Sequence, residues 1–430
     1  DLINLFKPIT KYSVPVLEPE NIPEIVRKSF KVAQTEKPGA CFIELPENIA
    51  EMDIEHKLPL KVQHATLSFP PDVKIKQAAD VINAAKCPLI LAGNGVIRAQ
   101  ASAELQHFAE HLNIPVLNTF MAKGVLPFSN PLALGTIGMA AHDYVSFAMD
   151  KADVVICVGF DMVEYHPYLW NQDNTKKIIH IDESPAEVDE HYILELGVIG
   201  DLKVSLPDIA KLVTPRKDNA MTELRTLVVE QATKYAQDKS FPIKPQKILY
   251  DLRQVLKPDD IIISDVGAHK MWVARLYQAE RPNTCLISNG FASMGISLPG
   301  AIAAKLLHPE RTIVSVTGDA GFLMNSQELE TAMRLKTPII VLIWNDAEYG
   351  LIRWKQEAHF GRASNIDFNN PDFVKYAESF GAKGYRVNAA DELVPILKQA
   401  IADNTVVIID CPVDYSENMK LTRELQQLMA

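Results

Sequence analysis

The chain has 430 residues, 47% hydrophobic and 23% charged, a composition ordinary for a globular protein with room for two or three domains. A formal charge of −11, with no basic patch or stripe, gives no electrostatic reason to bind nucleic acid or anionic lipid. No apolar run approaches the length of a membrane span, so no membrane partner is expected.

In chain order, residues 1–50 pattern as a helix, Ile22 to Thr35, followed by an apolar strand, Ala40 to Leu45, closed by Pro46. This predicts one α-β unit without the sheet it should join. Residues 51–70 are charged, with Pro59 and Pro70 and no sustained period, and read as a linker. A second α/β region spans 71–206. Its strands are Pro88–Ala92, Val154–Gly159 and Lys177–Ile181, separated by apolar-periodic helices. Such alternation predicts a parallel sheet covered on both faces. Residues 207–244 are polar and helical, punctuated by Pro207, Pro215 and Pro242, and read as a second linker. The third region, 245–415, opens with the strand Asp260–Ser264 and closes with Val406–Asp410. Residues 416–430 form a polar amphipathic tail. The five cysteines, Cys41, Cys87, Cys157, Cys285 and Cys411, are odd in number and form no Cys-x-x-Cys. Buried, reduced thiols in a cytoplasmic protein are the expectation.

The segment 312–346 carries the most chemistry. A strand, Thr312 to Val316, leads into Gly318-Asp319-Ala320-Gly321. A helix is predicted from about Asn325 to Lys336, with Asn325 and Glu328 as a cap-like start. Pro338 then restarts the chain into the strand Ile339 to Ile343, which ends in Asn345-Asp346. A right-handed β-α-β crossover makes the two strands parallel. Asp319 and Asp346 then meet at the carboxyl edge of the sheet, where α/β proteins bind ligands. Two carboxylates there suit a hard cation such as Mg²⁺. Gly318 and Gly321 let the backbone approach an anion closely, and a following helix offers N–H groups to a phosphate.

On these residues the chain resembles the thiamine-diphosphate (ThDP) enzymes, whose motif is Gly-Asp-Gly followed a little under thirty residues later by Asn-Asn or a variant. Here Ala320 replaces the second Gly and Asp346 the final Asn. Glu328–Lys336, Ser288–Gly295 and Tyr376–Ala382 resemble the acetolactate synthases within that family. The likeness runs from Leu5–Val14 to Pro412–Tyr415.

The resemblance implies a multidomain α/β architecture of parallel sheets covered by helices. Residues 1–50 would be the end of an N-terminal pyrimidine-binding domain, 71–206 the central domain and 245–415 the diphosphate-binding domain. The opening at Asp1, inside a patterned segment, is then expected to lie late in the first of three domains. The implied activity is decarboxylation of pyruvate and its condensation with a second pyruvate. Another ThDP-dependent 2-oxo acid decarboxylase or carboligase, or a cofactor-binding subunit without turnover, are the alternatives.

The resemblance also assigns residues. Gly267, Ala268 and His269 would lie near the diphosphate, with His269 able to donate to an oxygen. Met294 would wedge between the two cofactor rings, and the Ala292 carbonyl would hold the exocyclic amine, with Ser293 between them. Met324 would lie nearby, although core packing explains it almost as well. Asp319, Asp346 and the backbone carbonyl of Glu348 would hold Mg²⁺, with Gly318, Ala320, Gly321, Tyr349 and Gly350 around the cofactor. Leu351 and Lys355 would line the acceptor side. Lys355 departs from the relatives, and either pairs with a 2-oxo acid carboxylate or is solvated.

The segment Gly159-Phe160-Asp161-Met162-Val163-Glu164-Tyr165 lacks the Phe-Asp-Asp-Arg of flavin-binding relatives. Glu164-Tyr165 and Trp170-Asn171 instead resemble the catabolic, flavin-free branch, which argues against FAD. Gly93-Asn94-Gly95 alone is a weak nucleotide signal. The glutamate that activates ThDP belongs, in the family, to the N-terminal domain and reaches the cofactor across a subunit interface. A homodimer or homotetramer is therefore expected. Nothing in 1–50 matches that glutamate's context, and Glu44, before Pro46, is a poor candidate. No catalytic residue is named, and the chain by itself is expected to be inactive.

Overall fold

The computed structural model describes residues 1–55, 58–61, 67–138, 145–418 and 421. Part of the expected linker 51–70 and most of the tail 416–430 lie outside the described residues.

Two six-stranded sheets, both wholly parallel, form the body. The central sheet contains β3 (Pro88–Ala92), β4 (Val116–Asn118), β5 (Ala133–Thr136), β6 (Val154–Val158), β7 (Lys177–Asp182) and β8 (Leu194–Ile199), in the order β5-β4-β3-β6-β7-β8. The other contains β9 (Ile261–Ser264), β10 (Cys285–Ile287), β11 (Ile313–Gly318), β12 (Ile340–Asn345), β13 (Lys383–Arg386) and β14 (Val407–Pro412), in the order β10-β9-β11-β12-β14-β13. Every residue of β3, β6 and β9 is buried. That burial explains their continuous Leu/Ile/Val runs, since helices cover both faces of a parallel sheet. The helix Ser102–Leu112 shows the complementary pattern, burying Leu105, Phe108, Ala109 and Leu112 as one stripe.

Residues 1–50 depart from the expectation of a strand without a sheet. β1 (Tyr12–Pro15) pairs in parallel with β2 (Cys41–Glu44), and the helix Ile22–Gln34 connects them. Tyr12-Ser13-Val14-Pro15 is short and ends in proline, so its strand character is weak in sequence. Pro207 lies inside the helix Leu202–Ala210. Leu224 and Val228 of the helix Thr222–Thr233 are buried in the central core, so the segment after 207 packs on the central sheet.

The helix predicted over 325–336 is shorter, Glu328–Arg334, and a separate helix, Asp319–Met324, precedes it. Asn325 is not the N-cap of Glu328–Arg334, a place taken by Gln327. Its amide donates to the Gly295 carbonyl at 2.9 Å, a tertiary bond that takes the side chain away from the helix start. All five cysteines are free; Cys157, Cys285 and Cys411 are buried, while Cys41 and Cys87 are half-buried. Among the described residues no helix is long and apolar enough to cross a membrane.

Candidate active site

Strand order reverses in both sheets, and the crevice at such a switch point faces the carboxyl ends of the strands. In the second sheet the switch lies between β9 and β11. Three turns converge there, after β9, β11 and β12. They enclose a cavity of 240 Å³ lined by Gly267–His269, Gly318–Gly321, Asp346 and Glu348–Leu351, together with Ala292 and Met294 from the loop after β10.

β11 and β12 run in register, with Gly318 opposite Trp344, so the residues that follow both strands emerge side by side. Asp319 opens its helix at the strand end. Its carboxylate is fixed by the Ala320 N–H at 2.8 Å, the Ala347 N–H at 2.7 Å and the Asn370 amide at 2.7 Å. Ala347 reaches it by adopting φ +54°, a left-handed conformation that L residues rarely take. Ala320 is helical, so replacing glycine there costs nothing in backbone freedom. Gly350 is needed for space, because a Cβ would stand 2.7 Å from Asp346 Oδ2.

Burial raises the Asp346 carboxyl to about 8, with the charges of Asp319 and Glu348 adding to the rise. Burial raises Asp319 as well, against its three hydrogen bonds. Burial drives both carboxyls up, and a cation between them would hold both in the charged form. The Glu348 side chain is engaged by Arg353 Nη1, at 2.5 and 2.6 Å. Among the described residues no three His, Cys, Asp or Glu side chains gather into a metal-binding group. The donors that could hold a cation here are the two carboxylates, with the Glu348 backbone carbonyl as a candidate third. That set is all hard oxygen and incomplete, and it suits Mg²⁺, which keeps waters and ligand phosphates in its shell.

The other wall is the helix Ala268–Leu276, whose first turn faces the cavity. His269 is buried, which lowers it to about 4, so the imidazole is neutral at pH 7. Among the described residues its Nε2 has no hydrogen-bond partner. A buried polar atom without a partner is costly, and one on a cavity wall fits a polar ligand. A Cβ at Gly267 would lie 2.7 Å from the His269 ring, so glycine is what lets the ring sit against the turn.

Of the residues predicted from sequence, Ser293 and Met324 are exposed and do not line the cavity. Lys355 is also exposed. It stands one helical turn beyond Leu351 on the helix Gly350–Phe360. Glu44 ends β2 away from the cavity. Sequence reasoning missed Tyr415, whose ring lines the cavity and whose hydroxyl bonds the His269 backbone. It also missed Asp265, whose carboxylate accepts from the backbone of Val266, Gly295 and Ser297 and from the Ser297 hydroxyl. Both sit beside recognisable segments, Tyr415 at the end of the family likeness and Asp265 two residues before Gly267.

Comparison with known proteins agrees with this geometry. Residues 265–411 match the C-terminal TPP binding domain of thiamine pyrophosphate enzymes, and residues 75–209 match their central domain. Fold and cavity thus define a thiamine pyrophosphate (ThDP) enzyme. The acetolactate synthase of Bacillus subtilis (strain 168) is 36% identical over 99% of this chain and 76% of its own length. A probable acetolactate synthase large subunit of Methanocaldococcus jannaschii is 36% identical over 98% of this chain and 74% of its own. The catabolic acetolactate synthase of Raoultella terrigena is 30% identical over 99% of this chain and 77% of its own. The chain belongs to the acetolactate synthase family.

Proposed function

We infer that the chain acts as an acetolactate synthase, joining two pyruvate molecules with loss of carbon dioxide, and that the 240 Å³ cavity holds Mg²⁺ and the ThDP diphosphate. The observation that carries this reading is the meeting of Asp319 and Asp346 beside the unpartnered Nε2 of His269. When bound, ThDP supplies the electron sink for decarboxylation and carbon–carbon bond formation. The chain's own residues bind and orient. Asp319, Asp346 and the Glu348 carbonyl take the metal, and Gly267–His269 with Gly318–Gly321 follow the diphosphate. Ala292 and Met294 take the ring portion, Tyr349 and Gly350 close the metal side, and Leu351 with Lys355 face the acceptor. Tyr415 walls off water by filling the space behind His269.

The diphosphate-binding domain is proposed to span 245–415, and the central domain to extend beyond 206, because the helices Leu202–Ala210 and Thr222–Thr233 pack into its core. A cytoplasmic homodimer or homotetramer is proposed, and the 96% exposed Phe291 beside the cavity supports a covering subunit.

FAD does not fit the central sheet. Its switch point lies between β3 and β6, where Asn94 begins the helix Asn94–Arg98. There Glu164 Oε1 accepts from the Asn94 N–H at 2.9 Å and Oε2 from the Thr119 hydroxyl. An internal carboxylate thus occupies the place of a phosphate, and we propose that the enzyme works without flavin.

The test is to supply pyruvate, ThDP and Mg²⁺ to the enzyme containing this chain and to measure acetolactate against acetaldehyde. Acetolactate as the main product is expected. Acetaldehyde as the main product would make the protein a decarboxylase instead.

A further inference from the structure

The loop between β10 and the helix Ser297–Leu307 brings Ala292 and Met294 to the cavity wall. It bends through three left-handed residues, Gly290 at φ +75°, Ala292 at +49° and Gly295 at +87°. An alanine persists in that conformation only where its surroundings hold it. Asp265 holds the C-terminal end of the loop through Gly295 and Ser297. The N-terminal end is held by another device. Lys270 Nζ donates to Asn289 Oδ1 at 3.1 Å, and Asn289 Nδ2 donates to the Glu164 backbone carbonyl at 3.1 Å.

These three residues come from three places. Lys270 follows His269 on the helix facing the cavity, Asn289 begins the loop, and Glu164 belongs to the turn after β6 in the central region. Glu164 is itself anchored by Asn94 and Thr119. Lys270 is 6% exposed, lies over the Phe120 ring at 5.4 Å, and among the described residues has no ion-pair partner. Burial lowers it to about 8. An ammonium kept in that setting opposes its own desolvation, which a plain packing role would not require. A charged donor on one side and a carbonyl acceptor on the other also fix which way the Asn289 amide points.

We propose that Lys270 and Asn289 are positioning residues, and that the Lys270–Asn289–Glu164 chain ties the Ala292–Met294 loop to the central region so that it is preset for ThDP. The inference rests on the reading of this cavity as the ThDP site. Without the tie, the loop must be ordered on binding, and affinity falls.

Calorimetric titration of ThDP in saturating Mg²⁺ tests it on wild type, Lys270→Met, Asn289→Leu, the double variant and Lys270→Arg. Each single loss should weaken binding about tenfold, the size of one hydrogen bond to a charged group. Because both residues serve one chain, the double variant should be no weaker than a single one. Lys270→Arg, which keeps a cationic donor, should restore most of the affinity. Undiminished binding by Asn289→Leu, or losses that multiply in the double variant, would overturn the proposal. Should Lys270→Met fail to fold, Asn289→Leu and Lys270→Arg decide. If wild type binds no ThDP, it is the reading of the cavity that fails.

Discussion

Asn370 holds Asp319 from 51 residues away in sequence: its amide donates to Asp319 Oδ2 at 2.7 Å and to Asn345 Oδ1 at 3.0 Å. One side chain thereby links the end of β11 to the end of β12 and sets the direction of the Asp319 carboxylate. Partners of metal-ligating carboxylates of this kind orient the ligand and tune its affinity. Asn370→Ala should weaken Mg²⁺-supported ThDP binding by about tenfold or more, measured as the Mg²⁺ concentration giving half-maximal binding. An unchanged requirement for Mg²⁺ would remove Asn370 from the site.

The pH dependence follows from Asp346. Its carboxyl is raised to about 8, above the ordinary value of about 4, so in the metal-free protein it favours folding most below pH ~4. That contribution is lost as pH rises through about 8. Metal binding needs the charged carboxylate and releases a proton. The rise in melting temperature caused by Mg²⁺ should therefore be larger at pH 8.5 than at pH 6. Equal shifts at the two pH values would show that Asp346 is not a ligand.

The flavin argument has its own readout. Purified protein containing this chain should show no visible absorption of bound FAD, because Glu164 already satisfies the Asn94 N–H. A stoichiometric yellow chromophore would contradict it.

Lys355 separates two fates. Paired with an acceptor carboxylate at the cavity mouth, Lys355→Gln should lower the specificity constant for pyruvate by about tenfold, the worth of a hydrogen bond to a charged group. An unchanged constant would assign Lys355, exposed in the structure, to the solvated surface.

The parts of the site that could be read in the sequence are those carried by local pattern. Asp319 and Asp346 each follow an apolar strand directly, so a β-α-β unit is enough to bring them together. Asn370, Asp265 and Tyr415 act through tertiary contacts that no spacing announces. Asn325 looked like a helix cap because its sequence neighbours are those of one, yet its amide is used 30 residues away on Gly295. Ser293 stands between two cavity residues in sequence and Met324 three positions after Gly321, but both are exposed. In the central sheet β4, β5 and β8 escaped notice because they are short or carry glycine, as in Ala133-Leu134-Gly135-Thr136, which dilutes the strand signal. Glu164 was noted for family likeness, but its bond to the Asn94 N–H depends on two strands meeting at a switch point.

The most direct measurement is calorimetric titration of ThDP into the protein with Mg²⁺, with EDTA, and with Asp319→Ala in Mg²⁺. The account predicts binding in the first case and none in the other two, because the diphosphate loses its cation bridge to Asp319 and Asp346. Undiminished binding by a folded Asp319→Ala protein, or binding unaffected by EDTA, would contradict it.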